Sequence, residues 1–361
     1  MPVKFKKEED AEENFNVKRI TSFFKEHEFL MILLSIIVLL ILLTFIFGGS
    51  VQVSRLKTCG DGSFYESCSI VKPYYCNSQG FLTENISICS CQGQVSGNSC
   101  VTALQIGAKN ISLKYILDGE ERNLEFTVYS GLVNYLSGLS RTIFYGNSGG
   151  PIRGDFIFKK INEEEQRKLL MPLVIEIQNL TRDKQEQAKI AISLMQNIPY
   201  GVSNKTSSFF GTSVNYSRYP YEILYDGSGI CGEKSQLLAF LLREIGYETV
   251  IFYYQLENHE AVGIKCPVED SYKGTGYCFV ETTGPSIISD DSIIYSNGIK
   301  LESEPEIILI STGDALGSDL QEYKDAKTMK RIREGKFVFF ADSKLEKLKE
   351  KYGLVEEYNI G

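Results

Sequence analysis

The chain has 361 residues, 43% of them hydrophobic, which is enough to build a sizeable core and typical of a globular protein. Its net charge of −8 excludes the basic stripe that neutralises phosphates, so no nucleic-acid partner is expected.

The first 28 residues carry mixed charge (KFKKEEDAEENF) and read as a solvated cytoplasmic tail. Residues 29–47, FLMILLSIIVLLILLTFIF, carry no charge and as a helix reach about 28 Å, the thickness of a bilayer's hydrocarbon core. The run is longer than a signal-peptide apolar region and no small-x-small cleavage site follows. One transmembrane helix over 29–48 is therefore expected, with the lipid bilayer as partner. Lys4, Lys6, Lys7, Lys18, Arg19 and Lys25 precede it, whereas Arg55 and Lys57 are the nearest basic residues after it. That asymmetry predicts a single-pass protein of the cell membrane, with the N-terminus cytoplasmic and the remainder outside.

Residues 49–100 are rich in Gly, Ser, Asn and Cys and too poor in apolar residues to cohere through a core. Cys59, Cys68, Cys76, Cys89, Cys91 and Cys100 read as a disulfide framework of undetermined connectivity. Metal binding fits less well, because the spacings are not paired CxxC and no histidine lies between residues 50 and 258. Sequons at Asn85, Asn110, Asn179, Asn204 and Asn215 are compatible with a glycosylated outer surface.

In 101–160, the stretch ISLKYILDGEERNLEFTV alternates about an Asp-Gly turn and predicts a β-hairpin. GNSGGPIRGD, residues 146–155, is Gly-rich but lacks the GK[ST] of a phosphate loop and reads as a connector. The main domain is expected over 161–361. Helical periods run near 162–178 and 182–197, the second ending before Pro199. Strand-like runs follow at 249–256, 260–266 and 277–283, with 306–312 and FVFF at 337–340 as further candidates. Helices followed by strands predict an α+β domain.

Between the two sets lies GSGICGEKSQLLAF. Gln236, Leu237, Phe240, Leu241 and Ile245 mark one helical face and Gly246 closes it, so Cys231 falls in the first turn. Unsatisfied N–H groups and the positive dipole end favour a thiolate there. A thiol nucleophile needs an imidazole partner, and only His259 lies beyond the apolar run, since His27 precedes it. Glu281, at the end of the following strand, is a candidate to accept from the other ring nitrogen.

These three stretches, GSGICGEKSQLLAFLLREIGY, NHEAVGIKC and YCFVETTGP, resemble the transglutaminase-like superfamily, relatives of papain-type cysteine peptidases, over roughly residues 182–290. The resemblance implies a core helix packed on an antiparallel sheet. It assigns Cys231 as nucleophile, His259 as general base and acid, and Glu281 as the orienting carboxylate. The chain departs from the family in three places: Glu281 stands where an aspartate is usual, Ala261 where an aromatic residue is common, and there is no Trp. The oxyanion would be met by the Cys231 N–H, with Tyr225 as the candidate side-chain donor. If the six N-terminal cysteines pair among themselves and Cys266 pairs with Cys278, Cys231 is the residual thiol.

Joined to the anchor expected from the apolar run, the resemblance implies a cysteine enzyme acting on amide bonds of a peptide or protein, by hydrolysis or by acyl transfer to an amine. No metal or cofactor is called for; Asp290-Asp291 is too generic a cluster to suggest one. A non-catalytic surface module of the same fold, used for binding or scaffolding, is the alternative, favoured by the Glu281 exchange and the missing Trp.

Overall fold

The computed structural model describes residues 57–360 except 92, 144–148, 210, 211, 216 and 337; N-terminal to these it describes only Ile32 and Ile36. The helix expected over 29–48 otherwise lies outside the described residues. Among the described residues no helix is long and apolar enough to cross a membrane. Met1–Leu56 and Lys57–Gly361 are separate compact units, and the elements below belong to the second. It is a mixed α/β body whose strand pairs are antiparallel.

The cysteine-rich stretch forms short strands β1 (Ser67–Cys68), β2 (Tyr74–Cys76) and β3 (Leu82–Glu84), the turn of helix α1 (Ile86–Cys89), and a small hairpin of β4 (Gln94–Ser96) and β5 (Ser99–Val101). Its cysteines pair Cys59–Cys76, Cys68–Cys89 and Cys91–Cys100. Next come the hairpin strands β6 (Ala108–Leu117) and β7 (Glu120–Tyr129) and the helices α2 (Ser130–Gly138), α3 (Arg153–Ile161), α4 (Glu164–Leu180) and α5 (Lys184–Asn197). The hairpin turns through Asp118 and Gly119 at φ 52° and 82°, the two-residue turn that Asp-Gly favours. Its inward residues Leu113, Tyr115, Leu117, Leu124, Phe126 and Val128 alternate along the two strands and enter the main core.

The segments expected separately as 49–100, 101–160 and 161–361 fold together from Lys57 onward. The cysteine-rich stretch docks on α4, where Ile175 joins Cys59, Cys76 and Leu82 in a shared cluster. Asn179 exchanges hydrogen bonds with the Leu82 backbone at 2.8 and 3.0 Å. The amide nitrogen that a glycan would occupy at this sequon is therefore already a donor. The 146–155 connector becomes helical from Arg153, where α3 begins.

After the short hairpin β8 (Thr206–Phe209) and β9 (Thr212–Asn215) come α6 (Pro220–Asp226) and the central helix α7 (Cys231–Ile245). Residues 237–242 of α7 are fully buried, so this helix is enclosed by the core rather than laid on a surface. Gly246, at φ 111°, takes the left-handed position that ends it. A four-stranded sheet follows in the order β12 (Tyr277–Val280), β11 (His259–Lys265), β10 (Thr249–Tyr254), β13 (Glu306–Ser311). One face, with Ile251, Val262, Ile264 and Val280, joins α7 in the main core; the other, with Val250, Phe252, Tyr254 and Phe279, builds a second core with Tyr295 and Tyr358. Cys266–Cys278 ties β11 to β12.

Helices α8 (Gln321–Arg333) and α9 (Ala341–Tyr352) complete the unit. FVFF supplies no strand among its described residues. Phe339 and Phe340 form an exposed turn, and Phe340 caps α9 at φ 57°; the run is too short and too near two helix ends to reach a sheet edge.

Candidate active site

The start of α7 is fixed from several sides. Gly227, left-handed at φ 74°, ends α6, and Tyr200 and Gly229 form a backbone bridge beside the new helix. The Glu233 carboxylate turns back to accept from the Ile230 N–H at 3.1 Å and is gripped by Arg218 through its backbone N–H, Nε and Nη2 at 2.6, 3.0 and 2.8 Å. Arg218 and Glu233 are both buried, so this pair anchors the first turn rigidly. Cys231, the first residue of that turn, is 5% exposed and is the one free cysteine; the other eight form four disulfides.

β11 begins at His259, opposite Tyr254, just after a tight turn in which Asn258 takes φ 49°. Its Nε2 meets Glu281 Oε2 at 2.9 Å, and both side chains are fully sealed from solvent. Glu281 follows β12, where the chain bends so that Oε1 accepts from the Thr282 and Thr283 N–H groups at 2.8 and 2.7 Å and from Thr283 Oγ1 at 2.8 Å. Tyr295 donates its hydroxyl to Oε2 at 2.5 Å and lays its ring edge-on to His259, with centroids 4.8 Å apart. Ser235 and Thr282 strap the elements together: the two hydroxyls lie 3.1 Å apart, Ser235 donates to the Glu260 carbonyl at 3.1 Å, and Thr282 donates to the Cys231 carbonyl at 3.4 Å.

The electrostatics follow from this packing. Burial opposes the His259 imidazolium, but the Glu281 carboxylate and then the Cys231 sulfur outweigh it and hold the imidazole well above its ordinary value. Burial would likewise push Glu281 up, yet His259, Tyr295 and the Thr283 N–H hold its carboxyl well below the usual range. With Nε2 committed to Glu281, Nδ1 is the nitrogen left for the thiol. Cys231 raises the pKa of the ring by hydrogen bonding and then by its charge, although Nδ1 lacks a partner of strict hydrogen-bond geometry.

The structure brings Cys231, His259 and Glu281 together, and it places Tyr225 otherwise. Lys109 sits 4.9 Å above the Tyr225 ring and donates to its carbonyl at 2.7 Å, which ties that residue to the β6–β7 hairpin. Sequence offset alone does not set which way a ring points. Tyr200, whose backbone pairs with Gly229 beside the start of α7, donates its hydroxyl to the Ile360 carbonyl at 3.3 Å; burial, followed by the charges of Cys231 and Glu233, raises its pKa.

Two further residues escaped the sequence reading. Arg153, at the start of α3, donates through Nε to Glu260 Oε1 at 2.8 Å, bonds the same oxygen through Nη2, and covers the Tyr253 ring at 4.7 Å. Glu260 in turn lies against Gly232, where a Cβ would stand 2.9 Å from its Oε2. The one available signal was the glycine directly after the cysteine, which leaves room for a neighbour. Among the described residues no group of three or more His, Cys, Asp or Glu side chains could hold a metal ion.

No family model and no curated protein matches the chain. Among solved structures, calcium-bound LapG of Legionella pneumophila is similar at 13% identity, covering 49% of this chain and 99% of LapG with a TM-score of 0.24. EGTA-treated LapG of the same organism is similar at 15% identity, covering 50% of this chain and 100% of LapG with a TM-score of 0.25.

Proposed function

We propose that the chain is a cysteine-dependent acyl-transfer enzyme of transglutaminase-like fold, acting on an amide bond through Cys231, His259 and Glu281. One observation carries the reading. The single free thiol stands at a helix N-terminus beside an imidazole whose far nitrogen is held by a buried, saturated carboxylate. In this mechanism the imidazole takes the Cys231 proton, and an imidazolium beside a helix N-terminus stabilises a thiolate. The sulfur attacks the amide carbonyl, and the N–H of Cys231 stabilises the oxyanion. The C–N bond then breaks as the imidazolium protonates the departing amine, leaving a thioester. Water, or an amine, attacks the thioester while His259 accepts its proton, and the thiol is regenerated. Glu281 keeps the ring in one tautomer and orientation throughout.

The chain is further proposed to sit outside a cell membrane, anchored by residues 29–48 with its N-terminus in the cytoplasm. Four disulfides within Lys57–Gly361 support an oxidising surrounding.

The test is alkylation by iodoacetamide near pH 6. Cys231 in the folded chain should react at least about ten-fold faster than the same thiol in the denatured chain, and His259→Gln should remove the advantage. Equal rates in the folded and denatured chains would overturn the proposal.

A further inference from the structure

We infer that Arg153 is the recognition residue of this site, binding a carboxylate carried by the amide substrate beside Cys231; the inference rests on the acyl-transfer reading above. Three contacts fix the guanidinium: two bonds to one oxygen of Glu260 and the face of Tyr253. Glu260 itself is wedged against Gly232, the residue after the nucleophile, so the carboxylate that holds the guanidinium packs on the first turn of α7. Burial opposes the charge on Arg153, but Glu260, then Tyr253 and Cys231, outweigh it and raise its pKa.

Exposure divides the pair. The Arg153 side chain is 43% exposed and that of Glu260 only 2%. A guanidinium offers five N–H donors, and Glu260 engages Arg153 through Nε and Nη2 on a single oxygen. The other carboxylate oxygen, Oε2, is buried without a hydrogen-bond partner. As a device for stability the pair is poor, because a buried carboxylate left half unsatisfied does not recover its desolvation cost. As a device for recognition it is well arranged. The buried carboxylate orients the fork from behind, and the exposed edge remains to take a second carboxylate in bidentate geometry. The start of α7 adds positive potential on the same side.

The substrate class that fits is a peptide whose reacting amide has a carboxylate next to it, from an acidic side chain or from a chain terminus. A neutral backbone would use neither the charge nor the fork of Arg153.

The experiment compares iodoacetate with iodoacetamide on the full-length chain. Each forms an S–C bond at Cys231 and expels iodide, and Cys231 is the one free thiol. The wild-type iodoacetate-to-iodoacetamide rate ratio should exceed that of the denatured chain by about ten-fold. Arg153→Gln should bring the ratio down to the denatured level, and Arg153→Lys, which keeps the charge and loses the fork, should lie between; the Lys variant decides if the Gln variant does not fold. A wild-type ratio at the denatured level, or either variant retaining the wild-type ratio, overturns the inference. Fast reaction with iodoacetamide in that case leaves the acyl-transfer reading standing, whereas slow reaction with both reagents removes the acyl-transfer reading itself.

A second arm measures protection of Cys231 from iodoacetamide by peptides with an internal Asp or Glu, with a free terminal carboxylate, or with neither. Protection by one of the first two, lost in Arg153→Gln, supports the inference and identifies the source of the carboxylate. Equal protection by all three overturns it.

Discussion

Five donors converge on Glu281: two backbone N–H groups, the Thr283 and Tyr295 hydroxyls, and His259 Nε2. The Glu281 carboxylate spans from the Thr282–Thr283 turn, through Oε1, to the imidazole, through Oε2. Removing one charge-assisted donor from so buried a group should be costly. Tyr295→Phe is expected to destabilise the chain by about 1.5–3 kcal/mol in urea unfolding and to slow Cys231 alkylation. The His259–Glu281 pair also sets a pH signature. Glu281 is shifted down from 4.5, so its contribution is complete above that value and is lost as pH falls through its folded pKa. His259 is shifted up from 6.5, so its contribution is complete below that value and is lost as pH rises through its folded pKa. The stability difference between wild type and His259→Gln should therefore be largest between pH 4.5 and 6.5 and shrink on both sides, as read by thermal unfolding across pH. The juxtaposition of Cys231, His259 and Glu281 was legible because each position follows from a local signal: a helix start, a strand start, the end of the next strand. Arg153 and Tyr295 were not, because each reaches the site from a segment with no period linking it to the others, and only tertiary packing brings them in.

At the scale of elements, the site depends on two strands and one helix keeping their offsets. Helix α7 and the hairpin at Asp118-Gly119 were readable from apolar spacing and turn chemistry. FVFF was misleading because a short apolar run carries no information about whether a sheet edge lies within reach. His259 opens β11 and Glu281 follows β12 at one end of the pair, and Cys266–Cys278 ties the two at the other, across a sequence separation of 12 residues. Closing a loop of that size removes unfolded-state entropy worth about 2–3 kcal/mol. The double variant Cys266→Ser with Cys278→Ser should lose that amount in urea unfolding. Because backbone pairing between the strands persists, its folded fraction should still show accelerated alkylation of Cys231. A variant that kept full stability but lost the acceleration would mean the bridge sets site geometry rather than stability.

Across the whole Lys57–Gly361 unit, the cysteine-rich stretch illustrates what composition conceals. Its lack of apolar residues correctly implied disulfides, but not how it is seated: beside the small cluster around Ile175, polar contacts join it to α4, the loop after it and the start of α5, and these leave no hydrophobic period to read. Asn179 brackets the Leu82 backbone, Gln187 Nε2 donates to the Gly60 carbonyl at 2.9 Å, and Arg182 lies 5.4 Å from the Tyr65 ring. Gly60 is also so close to α4 that a Cβ there would stand 2.0 Å from the Gln178 carbonyl oxygen. Because α4 contributes Leu169, Leu170, Leu173 and Val174 to the same core that encloses α7, strain at this junction is transmitted to the body that holds Cys231. Asn179→Ala should thus cost about 1–3 kcal/mol through the two lost bonds, and it should lower a single unfolding transition rather than split off an early one. Differential scanning calorimetry supplies the measurement. If a separate low-temperature transition emerged while the main one stayed in place, the stretch would be an autonomous module, and its disulfides would stabilise it without supporting the site.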